Sequence, residues 1–231
     1  MNGDEYVIRR ARATPELRGD WDGPAWAHAN VLQVAHFHDK SAAGHRPRTR
    51  AKLLHDDAGI YVFFHVTDRY VKCLQTRHQS HVYRDSCVEF FLQPNDGNYF
   101  NIEMNCGGWM LLYCMRIPPR GAEGKFEGHR ILTADEVAMI RSHHSLPAAV
   151  PQEIIEPIEW CVEYFVPYAL LERYVGPLDS PEKRRWRGNF YKCADETSHP
   201  HWASWSPIER FDFHQPECFA PLTFETGAVT G

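Results

Sequence analysis

The sequence predicts an all-β protein, a β-sandwich of two antiparallel sheets with one or two short helices. Many short runs rich in β-branched and aromatic residues, separated by turn residues, are typical of this fold. Helical patterns are few, and no strand–helix–strand alternation indicates a parallel sheet. No internal repeat or long linker divides the chain, so we expect one domain over residues 1–231 with its core at roughly 19–225.

The clearest element is a hairpin over residues 49–66. Residues 49–55 and 60–66 form its strands, and the segment between them carries Asp56, Asp57 and Gly59, which favour a turn. The β-branched and aromatic residues of 60–66 indicate a central strand. Further strands are predicted at 86–93, 98–105, 108–116, 158–166, 186–193, 201–205 and 218–225.

Two short helices are predicted. Thr133 and Glu136 have the spacing of a capping box, which begins one helical turn before a strand that starts near Met139. Pro167 opens a second helix over 168–172, since proline is favoured in the first turn of a helix.

Composition excludes several classes of protein. Hydrophobic residues make up 43% and charged residues 24%, as in ordinary globular proteins and unlike disordered chains. The formal net charge of −5 gives no overall attraction for nucleic acid. The longest apolar run, Trp109–Met115, is too short to span a membrane. We therefore expect neither a nucleic-acid partner nor a membrane span.

The seven cysteines include no close pair, so neither a zinc ribbon nor a thioredoxin motif is present. We interpret them as reduced core residues, which weakly favours the cytoplasm. No secretory signal is apparent at the N-terminus, where Asp4, Glu5, Arg9 and Arg10 precede any apolar core.

Candidate catalytic and metal-binding residues give weak signals. The pairs His36/His38 and His199/His201 have strand spacing but lie in polar segments that we interpret as surface loops, so no metal site is predicted. Glu89 and Glu103 fall inside neighbouring strands, where a carboxylate is costly unless it is paired or faces a wet site. Two interpretations stay open, a functional site or an exposed strand face with a cross-strand partner such as Lys192. No nucleophile, phosphate-loop or dinucleotide motif is present.

Six phrases in order across residues 19–225 resemble carbohydrate-binding module family 9, within the DOMON-like β-sandwich superfamily. They are Asp22–Trp26, His55–Val62 with Val66 and Asp68, Tyr83–Phe91, Trp186–Tyr191, Trp205–Pro207 and Phe213–Phe219. The resemblance covers nearly the whole chain and leaves no room for a separate catalytic domain.

The resemblance implies a non-catalytic sandwich that binds a mono- or oligosaccharide or a polysaccharide. Two aromatic rings would clamp one sugar unit, at Tyr83 and Phe213, where better-known members carry Trp. The side chains that would read the sugar hydroxyls are Glu89, Asn101, Glu103 and Tyr191. Calcium occurs in some members, but no site for it can be assigned here, and no other cofactor is expected. The family favours export, so the compartment stays open.

Two alternatives remain. Related sandwiches serve as haem or small-ligand sensors and as interaction domains, and the fourteen histidines include possible axial ligands. A glycoside hydrolase would instead use Glu89 and Glu103 as its paired carboxyl groups.

Overall fold

A computed structural model describes residues 5–178 and 181–227 of the protein. Its strands are β1 Tyr6–Arg10, β2 Val31–Val34, β3 His36–Phe37, β4 Arg48–His55, β5 Gly59–Asp68, β6 Val71–Cys73, β7 Cys87–Gln93, β8 Asn98–Asn105, β9 Met110–Arg116, β10 Arg130–Ile131, β11 Arg141–His144, β12 Val150–Ile154, β13 Ile158–Pro167, β14 Trp186–Ala194, β15 His201–Ser204 and β16 Ala220–Phe224. The two α-helices are α1 Ala134–Val137 and α2 Tyr168–Val175. Every strand and helix that the sequence predicts is confirmed, with shifts of one to three residues at the ends.

Most strands form two sheets that share β1, while β6 and β12 pair with each other as a separate two-stranded sheet. The larger sheet has the order β10-β9-β8-β7-β14-β16-β1, and β15 and β3 extend it beside β14. The smaller sheet has the order β1-β4-β5-β13-β11, with β2 beside β4. Tyr6–Ile8 pair with β16, and Arg9–Arg10 then pair with β4. Both pairings of β1 are parallel, unlike the other pairings among the described residues, because this strand passes from one sheet to the other.

The main core lies between the two sheets and is built by strand alternation. In β7, Val88, Phe90 and Leu92 face inward, and in β5, Val62 and Phe64 meet them from the smaller sheet. These side chains are at most 1% exposed, so their burial supplies the main driving force for folding. The sandwich predicted from the sequence is confirmed.

Loops cover the outer faces of both sheets as well. Residues 11–29 bring Trp21 and Trp26 onto Phe63 and Phe165 of the smaller sheet. On the larger sheet, residues 205–219 lie over Phe91, and Phe219 packs there. Because both faces of β7 and β8 are covered, their residues are buried throughout, apart from the half-buried Asn98. A polar side chain on the outer face of these strands is therefore removed from bulk water.

The two helices begin as predicted. Thr133 Oγ1 accepts a hydrogen bond from the Glu136 amide, and Glu136 Oε2 accepts one from the Thr133 amide, which completes the capping box of α1. Pro167 is the N-cap of α2, and Gly176, with φ of 77°, ends that helix in a conformation that glycine adopts easily.

Candidate functional site

A pocket of about 460 Å³ opens over the outer face of the larger sheet. Its floor comes from β7, β8, β9 and β14, and its rim comes from residues 117–129 and 205–219. A volume of this size is typical of small-molecule sites. Six aromatic side chains line it, namely Tyr83, Tyr113, Phe126, Trp202, Phe211 and Phe213.

Strand register brings two carboxyl groups to the floor of this pocket. Glu89 of β7 lies directly opposite Glu103 of β8, and Tyr191 of β14 lies opposite Glu89 on the other side. Because side chains alternate along a strand, all three residues point to the outer face, away from Val88 and Phe90. The two carboxyl groups and the Tyr191 ring therefore lie on the side of the sheet opposite the main core.

The two glutamates are buried and poorly partnered. Glu103 is 4% exposed; its Oε1 accepts a hydrogen bond of 2.8 Å from Asn101 Nδ2, whereas its Oε2 has no hydrogen-bond partner. Glu89 is 3% exposed, and Cys193 Sγ donates to its Oε1 at 3.1 Å. Burial raises the pKa of Glu89 to about 8, and burial together with the neighbouring Glu89 raises the pKa of Glu103 well above its ordinary value. Burial therefore favours the protonated form of both carboxyl groups.

Lys192 does not pair with Glu89. The interpretation of Glu89 and Glu103 as part of an exposed strand face is therefore wrong. Lys192 points to the opposite face of β14, where its Nζ lies 3.3 Å from Asp68 Oδ2 and 2.6 Å from His201 Nε2. His201 is fully buried, which also corrects the prediction that it lies in a surface loop. The loop interpretation failed because it extended the polar character of residues 195–200 to His201, which is the first residue of β15.

The two aromatic positions of the expected clamp both line the pocket. Tyr83, in the short 3₁₀ turn before β7, is half-buried and stacks on His81 with ring centroids 5.4 Å apart. Phe213, in the 205–219 loop, is half-buried and stacks on Tyr191 with centroids 4.1 Å apart. Tyr191 also donates a hydrogen bond of 2.9 Å from its hydroxyl to the Phe213 carbonyl, which holds this loop against the sheet.

Four of the six predicted site residues thus meet in one pocket, namely Tyr83, Glu89, Glu103 and Phe213. The other two, Asn101 and Tyr191, are fully buried and do not line it. Asn101 instead orients Glu103, while its Oδ1 accepts a hydrogen bond from the Tyr113 amide. Direct ligand contact by any of the six stays a prediction.

Several pocket residues were missed by sequence reasoning. Tyr113 of β9 lies opposite Asn101 and could have been found, because the same alternation that places Glu103 outward places it outward too. Trp202 of β15 lies opposite Cys193, and its Nε1 donates to Asp195 Oδ1 at 2.7 Å. Phe126 and Phe211 come from loops, whose positions no periodic pattern predicts.

Charged groups at the rim are paired with one another. Arg120 Nε lies 3.0 Å from Asp212 Oδ2, and the guanidinium lies 3.9 Å from the centroid of the Phe126 ring. The remaining titratable rim residues are His81, His129 and His214.

Two clusters of described residues could hold a metal ion by geometry, but neither suits calcium. His45, Asp68 and His201 form one, and Cys87, Glu89 and Cys193 form the other. Calcium takes six to eight oxygen ligands, and each cluster offers one carboxylate. In the first cluster the Lys192 ammonium already occupies His201 Nε2.

No helix among the described residues has the length and apolar character to cross a bilayer.

A family model and solved structures of carbohydrate-binding proteins are both similar to this chain. A family model described as carbohydrate-binding family 9 matches residues 27–224. A solved structure of a candidate carbohydrate-binding protein from Bacteroides uniformis is similar over 97% of this chain and 100% of its own, with a TM-score of 0.82 and 25% identity. No curated protein matches.

Two solved structures of a family 9 module from Caldicellulosiruptor kristjanssonii share the fold. The complex with glucose has a TM-score of 0.59 and 14% identity and covers 96% of this chain and 97% of its own. The complex with cellotriose has a TM-score of 0.58 and 15% identity and covers 97% of this chain and 95% of its own.

Proposed function

Because this chain belongs to carbohydrate-binding family 9, we propose that it binds a carbohydrate, without catalysing a reaction, in the pocket over the larger sheet. The family is one of non-catalytic carbohydrate-binding modules. The modules from Caldicellulosiruptor kristjanssonii that share this fold were solved with glucose and with cellotriose. Those complexes support a sugar, or a short chain of sugars, as the ligand class here.

The observation that carries the proposal is the composition of the pocket. Aromatic rings form its walls, and two buried carboxyl groups form part of its floor. A pyranose presents apolar C–H faces and a rim of hydroxyl groups, so flat rings cover its faces while polar groups bind its edge. Tyr83 and Phe213 are the proposed clamp, with Glu89 and Glu103 as the proposed readers of the hydroxyls.

A protonated carboxyl group suits this task because it donates one hydrogen bond and accepts others, as a sugar hydroxyl does. Asn101 and Tyr191 then act as positioning residues. Asn101 fixes the orientation of Glu103, and Tyr191 supports the ring and the backbone of Phe213.

Calorimetric titration against a panel of mono- and oligosaccharides tests the proposal. We expect a free energy of binding of about −4 to −8 kcal/mol for the best ligand, which is the millimolar to micromolar range. Tyr83→Ala should weaken binding by about tenfold or more, since it removes one wall of the pocket. Tyr174→Ala is the matched control, because this half-buried tyrosine lies on α2, outside the pocket.

A broad panel that produces no heat with the wild-type protein would contradict the proposal. Equal loss of affinity in Tyr83→Ala and Tyr174→Ala would place the binding site elsewhere.

A further inference from the structure

The floor of the pocket collects acidic groups and lacks a cation. Glu89, Glu103 and Asp195 all line it, and Asp195 is close enough to raise the pKa of both glutamates. Among the described residues, no lysine or arginine nitrogen lies within 4.0 Å of a carboxylate oxygen of these three. A buried acidic group without a counterion stays protonated or recruits a positive charge.

The nearest cations are engaged elsewhere. Arg120 pairs with Asp212 at the rim and lies over Phe126. Lys192 lies on the other face of β14, where Asp68 and His201 hold its ammonium in the core. Arg84 pairs with Glu196 at 3.4 Å and lowers the pKa of Asp195 only from a distance, as Lys192 does that of Glu89. Among the described residues, no lysine or arginine therefore contacts Glu103.

One oxygen on the floor is left without a partner. Glu103 Oε2 accepts no hydrogen bond, although the residue is 96% buried and lines the pocket. The rings of Tyr83, Tyr113 and Phe213 line the same pocket, and the faces of such rings attract cations within about 6 Å. An unpartnered acidic oxygen inside an aromatic enclosure is a site for an ammonium group.

We propose that the preferred ligand is an amino sugar with a free primary amine, bound with its ammonium group on Glu103 and its ring between the aromatic walls. This inference rests on the proposed function and adds the chemical class of the sugar. An ammonium donates up to three hydrogen bonds, and those to a carboxylate are about twice as strong as neutral ones. N-acetylation would remove the charge and leave Glu103 without a counterion.

Binding of the cation changes the protonation of the floor. Burial favours the protonated form of Glu103 in the free protein, and the ammonium favours the carboxylate form, so binding should release a proton. The other titratable groups that face the two glutamates are Cys87, Cys193, Tyr83, Tyr113 and Asp195. Those at the rim are Arg120, Asp212, His81, His129 and His214. We expect about one proton to leave for each amino sugar bound and none for a neutral sugar.

Calorimetry at pH 6.5 with glucosamine, glucose, N-acetylglucosamine and ethanolamine tests the proposal. Glucosamine should bind at least about tenfold more tightly than glucose or N-acetylglucosamine. Ethanolamine, an ammonium without a sugar ring, should bind more weakly than glucosamine. Repeating the glucosamine titration in buffers of different ionisation enthalpy measures the proton released.

Glu103→Gln is the diagnostic variant, because its amide oxygen can still accept from Asn101 but carries no charge. It should lose at least about tenfold more affinity for glucosamine than for glucose, so that the preference between the two sugars disappears. Glu159→Gln, the same change on an exposed residue of the smaller sheet, should leave both affinities unchanged. If Glu103→Gln fails to fold by circular dichroism, Glu89→Gln should show the same loss of preference.

The outcomes separate the two proposals. Glucose binding as tightly as glucosamine would overturn the amino-sugar assignment and leave carbohydrate binding intact. Ethanolamine binding as tightly as glucosamine would show that the ring contributes nothing and would overturn the assignment too. No binding of any sugar would refute the proposed function itself.

Discussion

Replacing Lys192 by methionine should destabilise the fold by removing a cation buried between the two sheets. The ammonium lies 3.3 Å from Asp68 Oδ2 of β5 and 2.6 Å from His201 Nε2, and it donates to the Cys193 carbonyl at 3.0 Å. Both side chains of the ion pair are fully buried. His201 Nδ1 donates to the His199 carbonyl, so its Nε2 is the acceptor and the imidazole is neutral.

The size of the effect follows from what the substitution leaves behind. Methionine fills a similar space but cannot offset the Asp68 carboxylate, whose remaining ring neighbour would be His45, with Nε2 3.1 Å from Asp68 Oδ1. The pKa of Asp68 lies below its ordinary value mainly because Lys192 and His45 oppose the effect of burial. Removing one partner of a buried ion pair costs about 3 to 5 kcal/mol, so we expect a decrease in the free energy of unfolding in that range.

Urea denaturation at pH 7, followed by tryptophan fluorescence, measures this change. Lys72→Met is the control, because the Lys72 ammonium donates to the exposed Glu196 carbonyl, and its loss should cost less than about 0.5 kcal/mol. A loss below about 1 kcal/mol in Lys192→Met would refute the idea that this ion pair holds the sheets together.

Four further outcomes follow. His201 has a pKa of about 3 in the folded protein, below the value of about 6.5 for an exposed histidine, so the unfolded state binds an extra proton between these values. The free energy of unfolding should therefore fall as pH decreases through this window, by up to about 1.4 kcal/mol per unit, and less steeply in His201→Gln. Tyr191→Phe should weaken sugar binding about threefold with a small loss of stability, since the Phe213 carbonyl loses one of its two donors and keeps the Gln215 amide; an unchanged affinity in titration would contradict this positioning role. All seven thiols should react with a thiol reagent after denaturation, but chiefly Cys218 in the native protein, because the other six are buried; fast labelling of more than one native thiol would argue otherwise. An absorption spectrum without a haem band and an aryl glycoside left intact would contradict the sensor and hydrolase alternatives.

The longer strands of both sheets could be predicted from the sequence, because their apolar and β-branched residues form clear runs or alternate with polar ones. In β5 and β7, dense apolar and β-branched residues mark the strands, and alternation in β7 separates Glu89 from Val88 and Phe90. The short strands β1, β2, β3, β6, β10 and β12 were missed, since two to five residues carry no readable period. The parallel passage of β1 between sheets depends on long-range pairing that no local pattern encodes. The DOMON-like assignment stays a prediction.

The sequence predicted which residues form the site but not how deeply they are buried or what they contact. Motif order brought Tyr83, Glu89, Glu103 and Phe213 together, and the pocket contains all four. Their burial was not predictable, because it comes from residues 205–219 folding over the sheet, and loop conformation follows from tertiary contacts such as the Tyr191 hydroxyl on Phe213. The hydrogen-bond partner of Glu89 was missed as well. Its contact with Cys193 depends on how β7 and β14 pair, which no local pattern encodes.

Strand β14 connects the stability of the fold to the choice of ligand, because one of its faces packs in the core and the other lies towards the pocket. Lys192 faces the core and neutralises Asp68, whereas its neighbours Tyr191 and Cys193 lie on the outer face, where Cys193 lines the pocket and Tyr191 supports Phe213. The field of Lys192 lowers the pKa of Glu89 through the sheet, although burial still dominates. Lys192→Met should therefore raise the pKa of Glu89 further, so that the adjacent carboxyl groups of Glu89 and Glu103 together hold their protons more tightly against an ammonium bound on Glu103. If the amino-sugar assignment is right, this variant should lose affinity for glucosamine and keep affinity for glucose under conditions where it remains folded.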